Sequence, residues 1–279
     1  MTSTVTVPLA GLLRLHPAAE TAWRAGWEAG AFLRDERPSD LVVDTKSTST
    51  DVVSAMDRGA ERIIVDALLG RFPEDGFLGE EGGERPSASG RRWIVDPLDA
   101  TVNYLYGIPL WGVSIALEDT DGISLGIVVL PALDQAYLAV RGEGAWRVEQ
   151  GRATALSGSS CTTLSQALIA TGFGYSAERR VRQAEVVGRI IGRVRDVRRT
   201  GCAVVDFCWL AEGRADGYYE YGLNPWDHAA AALVCRESGI VVTGLDGGVD
   251  LDPAFVAAAP AIADELRALL VDSGAARMP

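Results

Sequence analysis

Two aspartates three residues apart carry the strongest chemical signal in this chain. They lie in the segment W-I-V-D-P-L-D-A-T, from Trp93 to Thr101, directly after an apolar run typical of a β-strand. Pro97 bends the chain between Asp96 and Asp99, so we expect both carboxylates on one side of a turn that leaves the strand. Placed there, they could share cations, and the following N–H groups could receive an anion at a helix start. Taken alone, the pair fits a turn cap and a helix cap better.

Acidic residues also occur at other places in the chain, next to predicted turns or helix ends. Each has an ordinary explanation of its own, as a first-turn helix residue, a loop charge or a helix N-cap. The residues concerned are Asp51, Asp57, Glu80, Glu81 and Asp227. Only their combination and order with the first pair favour a common site.

Four motifs in a fixed order carry a family resemblance. They are Lys46 followed by D-V-V-S-A-M-D at 51–57, G-E-E at 79–81, W-I-V-D-P-L-D-A-T-V-N-Y at 93–104, and W-D-H-A-A-A at 226–231. In order and spacing the chain resembles the inositol monophosphatase family, from about residue 20 to about residue 272. Members are magnesium-dependent, typically lithium-sensitive phosphatases of small phosphorylated polyols and related monoesters.

The resemblance implies a set of metal ligands. Glu80 and Asp96, with the carbonyl of Leu98, would hold a first Mg²⁺. A second ion would bind Asp96, Asp99 and Asp227, and Glu80 would hold a third, weaker one. Every expected ligand is a hard oxygen donor, which Mg²⁺ prefers, and neither histidine is among them.

The resemblance also implies how the reaction proceeds. Asp57 and Thr101 would orient the attacking water and take its proton, and the N–H groups of Ala100 and Thr101 would hold a phosphate oxygen. Lys46 would be a charge beside the phosphate, although a solvated loop lysine is nearly as good an interpretation. The resemblance implies direct attack of water on phosphorus, and a covalent intermediate is the poorer interpretation because no serine or cysteine nucleophile with a positioned base is apparent.

Several positions depart from the family pattern, and two of them bear on the expected site. Ala100 replaces the usual glycine; alanine costs nothing at negative φ, but costs about 1–2 kcal/mol at positive φ. We expect a tolerated φ and retained activity. Cys202 lies in the substrate-side segment formed by Gly201, Cys202 and Ala203, where small hydroxyl residues are frequent in the family.

The substrate depends on Glu220, which corresponds to the acid that accepts a hydrogen bond from a substrate hydroxyl in inositol phosphatases. It favours inositol 1-phosphate, and leaves open histidinol phosphate, fructose bisphosphate and nucleoside bisphosphates. The neighbouring Tyr218, Tyr219 and Tyr221 fit a sheet and core better than a sugar platform. A hypothesis of another class is a catalytically weak binding or regulatory family member, with Ala100 as its mark.

Composition limits the functional class. The 279 residues are 48% apolar and 23% charged, with a net charge of −12, which argues against a broad nucleic-acid-binding face. The basic run 189–199 reads as solvated surface.

Apolar stretches are too short to cross a bilayer, and the N-terminus lacks a basic segment before an apolar one, so we expect a cytoplasmic protein without membrane contact. The four cysteines show no C-x-x-C spacing and fit small buried residues. The family resemblance implies a homodimer.

The expected fold is α+β, a layered α-β-α-β-α sandwich of the inositol monophosphatase type. Residues 1–150 would form a mainly antiparallel half with most metal ligands, and residues 151–279 an α/β half with Asp227 and the substrate-side residues. Periodicity predicts helices near 17–34, 52–72, 177–194, 203–213, 227–238 and 260–272. It predicts strands near 76–79, 92–96, 111–117, 123–130, 135–140, 167–171 and 240–243.

Overall fold

The structure, a computed structural model, describes residues 6–38 and 49–276, with the backbone alone for residue 6 and residues 49–54. The α-helices in these ranges are α1 Leu9–Leu12, α2 Ala19–Asp35, α3 Ser49–Arg71, α4 Thr101–Leu105, α5 Ala177–Ile190, α6 Ala203–Ala211, α7 Pro225–Glu237 and α8 Ala263–Asp272. The strands are β1 Thr6–Pro8, β2 Gly76–Gly79, β3 Gly83–Arg85, β4 Arg92–Asp99, β5 Gly112–Asp119, β6 Gly122–Leu130, β7 Gln135–Val140, β8 Gly144–Glu149, β9 Arg152–Ala155, β10 Leu168–Thr171, β11 Asp196–Arg198, β12 Gly217–Tyr221, β13 Val241–Gly244 and β14 Ala254–Ala258.

The N-terminal sheet is mainly antiparallel, as predicted. Its nine strands run in the order β1-β9-β8-β7-β6-β5-β4-β2-β3. Among them, β2 and β4 pair in parallel, while the other neighbours are antiparallel. The central strands are apolar on both faces, because both faces are covered by helices.

The second sheet has five strands in the order β11-β10-β12-β14-β13. β10 pairs in parallel with β11 and β12, whereas β14 is antiparallel to β12 and β13. Parallel pairing requires crossover connections, and α5 and α6 provide them.

Three apolar cores separate the layers. α2 and α3 cover one face of the nine-stranded sheet, where Trp93 and Val95 of β4 are buried. Ile94, between them, points to the opposite face and packs with α6, α7 and the second sheet. A third core lies between the second sheet and helices α5 and α8. The layered α-β-α-β-α fold predicted from the resemblance is therefore confirmed.

Small residues set the distance between α7 and the first sheet. A Cβ on Gly126 of β6 would lie 2.6 Å from the carbonyl oxygen of Ala230. The helix therefore packs directly on the strand backbone, and its run of alanines, Ala229–Ala232, is buried. This close packing fixes the start of α7, which carries Asp227.

Most predicted elements have counterparts, although several strands escaped the sequence patterns. The helices near 17–34 and 52–72 are α2 and α3, and the predicted strands match to within a few residues. The sequence patterns predicted no strand at β9, which pairs with β8 and with β1. Short edge strands such as β9 have too few residues to show an alternating pattern. The division at residues 150 and 151 stays a prediction.

Three of the four cysteines are buried, and the fourth, Cys161, is half-buried; all four are free. In the described part of the chain, no helix combines the length and apolarity that crossing a bilayer requires.

Candidate active site

One cleft between the two sheets collects most of the predicted residues. Its wall contains the four expected carboxylate ligands, Leu98, and the start of α4. It also contains Gly201, Cys202, Ala203 and Glu220 from the second half of the chain. The segments are far apart in sequence, so their meeting in one cleft depends on the tertiary fold.

A β-bulge brings Asp96 and Asp99 to the same cleft. Side chains three positions apart in a regular strand point to opposite faces. Here Asp96 pairs with Ser114 and Asp99 with Gly112, so β4 contains one residue more than its partner between these pairs. The extra residue reverses the alternation, so that both aspartates reach one side. The expected turn beyond the strand is therefore a bulge within it.

Backbone N–H groups hold the two aspartates in place. Asp96 is 1% exposed, and its Oδ1 accepts a hydrogen bond from Leu98 N at 2.9 Å. Asp99 Oδ2 accepts from Val204 N at 2.8 Å and from the Cys202 thiol at 3.2 Å. Asp99 thus links β4 to the first turn of α6, across the two halves of the chain.

Asp227 enters the cleft from the first turn of α7. Asn224 is the N-cap, and its backbone N–H donates to Asp227 Oδ2 at 2.7 Å. Ser114 Oγ of β5 donates to Trp226 O at 3.1 Å, which joins the helix start to the strand opposite Asp96. Asp227 is therefore not the N-cap considered from the sequence but the third helical residue, which completes a capping box with Asn224, and its carboxylate also lines the cleft.

Burial raises the pKa of each of these carboxyls. It raises the pKa of Asp99 and that of Glu80 to about 7, and the pKa of Asp227 to about 6. The pKa of Asp96 lies well above its usual range because of burial and then the nearby charges of Asp99 and Glu80. Crowded carboxylates of this kind are stabilised in their charged form by a cation.

The oxygen atoms of the expected ligands are chemically suited to hard cations. The four carboxylates and the Leu98 carbonyl all offer oxygen, as Mg²⁺ prefers. Burial lowers the pKa of His228, next to Asp227, to about 4, and this imidazole is absent from the described cleft wall. Within residues 6–38 and 49–276, no three Asp, Glu, His or Cys side chains already converge enough to enclose an ion. The expected ligands line the cleft without meeting at one point.

Ala100 has a left-handed backbone, contrary to our expectation. Its φ is 72° and its ψ 50°, and it is the N-cap of α4. The expectation of a tolerated φ is therefore wrong. The chain must reverse within one residue between the end of β4 at Asp99 and the first helical residue, Thr101, and the left-handed region provides that reversal. The Ala100 methyl group costs conformational energy there that glycine would not.

Asp57 is buried and is not among the residues of the cleft wall. It is 4% exposed, and its Oδ1 has no hydrogen-bond partner among the described residues. Burial, followed by the charges of Glu80 and Glu81, raises its pKa to about 8. Its predicted pairing with Thr101 stays a prediction, since the Thr101 hydroxyl donates to Leu98 O at 3.3 Å. Lys46 lies outside the described residues.

The substrate side of the cleft is built around Glu220. This residue lies on β12, and its Oε2 accepts a hydrogen bond from the Tyr218 hydroxyl at 2.5 Å. Burial raises the pKa of Glu220 to about 7. Tyr218 and Tyr219 are buried as predicted, but Tyr221 lines the cleft. Arg199, assigned from the sequence to solvated surface, also reaches the cleft wall.

A polar bridge between the two halves was not found from the sequence. Asn103 of α4 donates through Nδ2 to Leu110 O at 2.7 Å and to Thr200 O at 3.0 Å. The Thr200 hydroxyl donates to Asp206 Oδ2 at 2.8 Å and accepts from Cys202 N at 3.2 Å. These bonds fix the loop that contacts Asp99. The sequence signal for this bridge was Asn103 in the third motif, whose amide lies one turn beyond the two aspartates.

Comparison with known proteins identifies the family. The model of the inositol monophosphatase family matches residues 14–275. This chain belongs to the inositol monophosphatase family. It is 41% identical to the inositol-1-monophosphatase SuhB of Mycobacterium tuberculosis, over 87% of this chain and 89% of that protein. The solved structure of M. tuberculosis SuhB superposes with a TM-score of 0.79 at 39% identity, covering 91% of this chain and 96% of the other.

A second relative has a different kind of name. The chain is 34% identical to the Nus factor SuhB of Escherichia coli, over 84% of this chain and 87% of that protein. Family membership and the M. tuberculosis relative support a phosphatase. One relative is named as a phosphatase and the other as a Nus factor, so membership of the inositol monophosphatase family does not by itself assign the substrate or the physiological role.

Proposed function

We propose that this protein is a Mg²⁺-dependent phosphomonoesterase that hydrolyses a small polyol phosphate, with inositol 1-phosphate as the favoured substrate. One observation carries the proposal: carboxylates from β4, α7 and the turn after β2 line the same cleft as the Leu98 carbonyl and the start of α4. Acids from such distant segments, crowded in one cleft with no ion pair to any of the four among the described residues, are costly unless a ligand compensates them.

The metal ligands would divide into two overlapping sets. Glu80, Asp96 and the carbonyl of Leu98 would hold one Mg²⁺, and Asp96, Asp99 and Asp227 a second. Glu80 could bind a third, weaker ion. When bound, Mg²⁺ would supply the positive charge that lowers the pKa of the attacking water and offsets charge on the phosphate and leaving oxygen.

The chain's own groups would orient the reactants. The N–H groups of Ala100 and Thr101 would donate to a phosphate oxygen, and the left-handed backbone of Ala100 turns the chain toward the cleft at that point. Asp57 would accept a proton, directly or through the Thr101 hydroxyl, because burial makes its charged form unfavourable and its basicity high. Lys46 stays a proposed charge beside the phosphate.

The polyol would lie against the second half of the chain. Glu220 would accept hydrogen bonds from adjacent hydroxyls, since its Oε2 is already oriented by the Tyr218 hydroxyl. Gly201, Cys202 and Ala203 would form the neighbouring wall. Histidinol phosphate, fructose bisphosphate and nucleoside bisphosphates are the alternative substrates. The protein would act without nucleic acid or membrane, as a homodimer, which sedimentation analysis can test.

Phosphate release from a monoester panel tests the proposal. The purified chain is assayed with Mg²⁺, with EDTA and as the Asp99→Asn variant, on inositol 1-phosphate and on the three alternative substrates. We expect release from inositol 1-phosphate with Mg²⁺, and at least about a hundredfold loss in Asp99→Asn. Faster release from another panel member would reassign the substrate.

A binding or regulatory role is the second candidate. It is favoured by the strained alanine at position 100 and by the name of the E. coli relative, Nus factor SuhB. A chain that releases no phosphate from any panel member, yet remains folded and binds Mg²⁺, would support this role over catalysis.

A further inference from the structure

Glu61 is a buried glutamate that faces the turn carrying Glu80. It lies on α3, four residues after Asp57, and is 6% exposed. Its Oε1 accepts a hydrogen bond from Glu81 N at 3.3 Å, and the N–H of Gly82 also bonds to this carboxylate. Among the described residues, no Lys, Arg or His forms an ion pair with it; Arg58 instead approaches Glu81, at 3.9 Å. Buried carboxylates normally need a partner, and here backbone N–H groups fill that role.

Two glycines make room for this carboxylate. A Cβ on Gly82 would lie 2.6 Å from Glu61 Oε2, and one on Gly79 would lie 2.1 Å from Oε1. Neither glycine has a positive φ, so the backbone conformation alone does not require glycine at these sites. The glycines on both sides of the Glu80–Glu81 pair are therefore explained by the space that the Glu61 side chain occupies.

The turn at 79–82 needs these hydrogen bonds because the negative charges around Glu80 repel one another. Glu80 lies within the field of Asp227 and Glu81, both of which disfavour its charged form. It also follows the short strand β2, so only a few backbone bonds fix its position. A carboxylate anchored in α3 that binds the next two N–H groups restricts where Glu80 can point.

We propose that Glu61 is a positioning residue, which fixes the turn at 79–82 and thereby orients Glu80 toward the metal ions. The inference rests on the proposed function, in which Glu80 is a Mg²⁺ ligand. Glu61 itself would contact neither the ions nor the substrate.

The first test compares Glu61→Gln with a matched control. Glutamine keeps the size, but its NH₂ group would face an N–H donor, so one of the two bonds is lost. We expect the Mg²⁺ concentration for half-maximal activity and the Mg²⁺ dissociation constant from calorimetry to rise about tenfold. At saturating Mg²⁺, kcat should stay within about twofold, because the reacting groups are intact. Asp66→Asn removes an exposed carboxylate from the same helix and should change neither quantity.

A second test moves the carboxylate without changing it. Gly82→Ala places a methyl group against Glu61 Oε2 and should weaken Mg²⁺ binding in the same direction. Gly70→Ala is the matched control, because a Cβ there meets nothing within 4 Å. Melting temperatures of all variants identify any that fail to fold.

Amide hydrogen exchange in the metal-free chain gives a readout that does not depend on catalysis. At least one of the Glu81 and Gly82 amides should exchange about tenfold faster in Glu61→Gln than in Asp66→Asn, because both donate to Glu61 and glutamine can keep only one of these bonds. Unchanged Mg²⁺ affinity in both Glu61→Gln and Gly82→Ala would overturn the inference. Loss of one bound ion in Glu61→Gln would also overturn it, since Glu61 would then be a ligand. A wild-type chain inert on every monoester would reject the proposed function, while calorimetry and exchange would still decide the role of Glu61.

Discussion

Replacing Ala100 with glycine should stabilise the protein, although most alanine-to-glycine changes destabilise. Ala100 has φ 72°, where a non-glycine residue costs about 1–2 kcal/mol. Glycine removes that strain but adds about 0.5–1 kcal/mol of backbone entropy to the unfolded chain. The expected net gain in free energy of unfolding is about 0.5 kcal/mol, a rise of about 1–2 °C in melting temperature.

A helical alanine gives the matched control. Ala268 is exposed in the middle of α8, far along the chain from the cleft motifs. Ala268→Gly adds the same backbone entropy to the unfolded chain without relieving any strain, so it should lower the free energy of unfolding by about 1 kcal/mol. The difference of about 1.5 kcal/mol between the two variants isolates the left-handed strain from the general effect of glycine.

Thermal unfolding in EDTA and phosphate release in Mg²⁺ are the two assays. Activity of Ala100→Gly should stay within about threefold of wild type, because the N–H groups that would hold phosphate remain in place. If Ala100→Gly destabilises as much as Ala268→Gly, the left-handed strain is not real. If turnover rises by orders of magnitude, the native alanine impairs the site, and the expectation of retained activity is wrong.

Three further predictions concern the cleft and the core. Burial raises the carboxyl pKa values to about 6 for Asp227 and about 8 for Asp57, so in EDTA the folded state should lose stability as pH rises from 5.5 to 8.5. Melting curves should detect this, and Mg²⁺ should reduce the dependence; a flat profile in EDTA would contradict it. Gly126→Ala should lower the free energy of unfolding by about 2 kcal/mol, measured in urea, because its Cβ would press on the backbone of α7; a neutral result would mean that the helix can move away. Tyr104→Phe should cost about 1 kcal/mol by the same measurement, because the Tyr104 hydroxyl donates to the buried Leu33 O at 2.6 Å; no change would show that this bond contributes nothing.

The family and most of the cleft residues could be predicted from the sequence. The order and spacing of the motifs can be recognised without knowing how the chain folds between them. Asp96, Asp99 and Glu220 could be named from their neighbours in sequence alone. The β-bulge that brings Asp96 and Asp99 to one side could not be predicted, because it depends on how β4 pairs with β5. The positive φ of Ala100 was missed for a related reason: it follows from the angle between a strand end and the next helix.

Residues that act through other residues were the hardest to find. Glu61 looks like any helix glutamate in the sequence, and only its distance to Glu81 N reveals its role. Asn103 and Thr200 are 97 positions apart, so their hydrogen bond has no local signal. Arg199 was assigned to solvent from a basic run, because sequence patterns do not indicate which member of a run turns toward a cleft.

In the proposed function, carboxylates from distant segments bind Mg²⁺ together, and hydrolysis of a phosphomonoester depends on the bound ions. The most direct measurement is phosphate release from inositol 1-phosphate by the wild-type chain and by Asp99→Asn, at matched Mg²⁺ and in EDTA. We predict release that requires Mg²⁺ and falls at least about a hundredfold in the variant. Equal release in EDTA, or full activity of Asp99→Asn, would contradict the account.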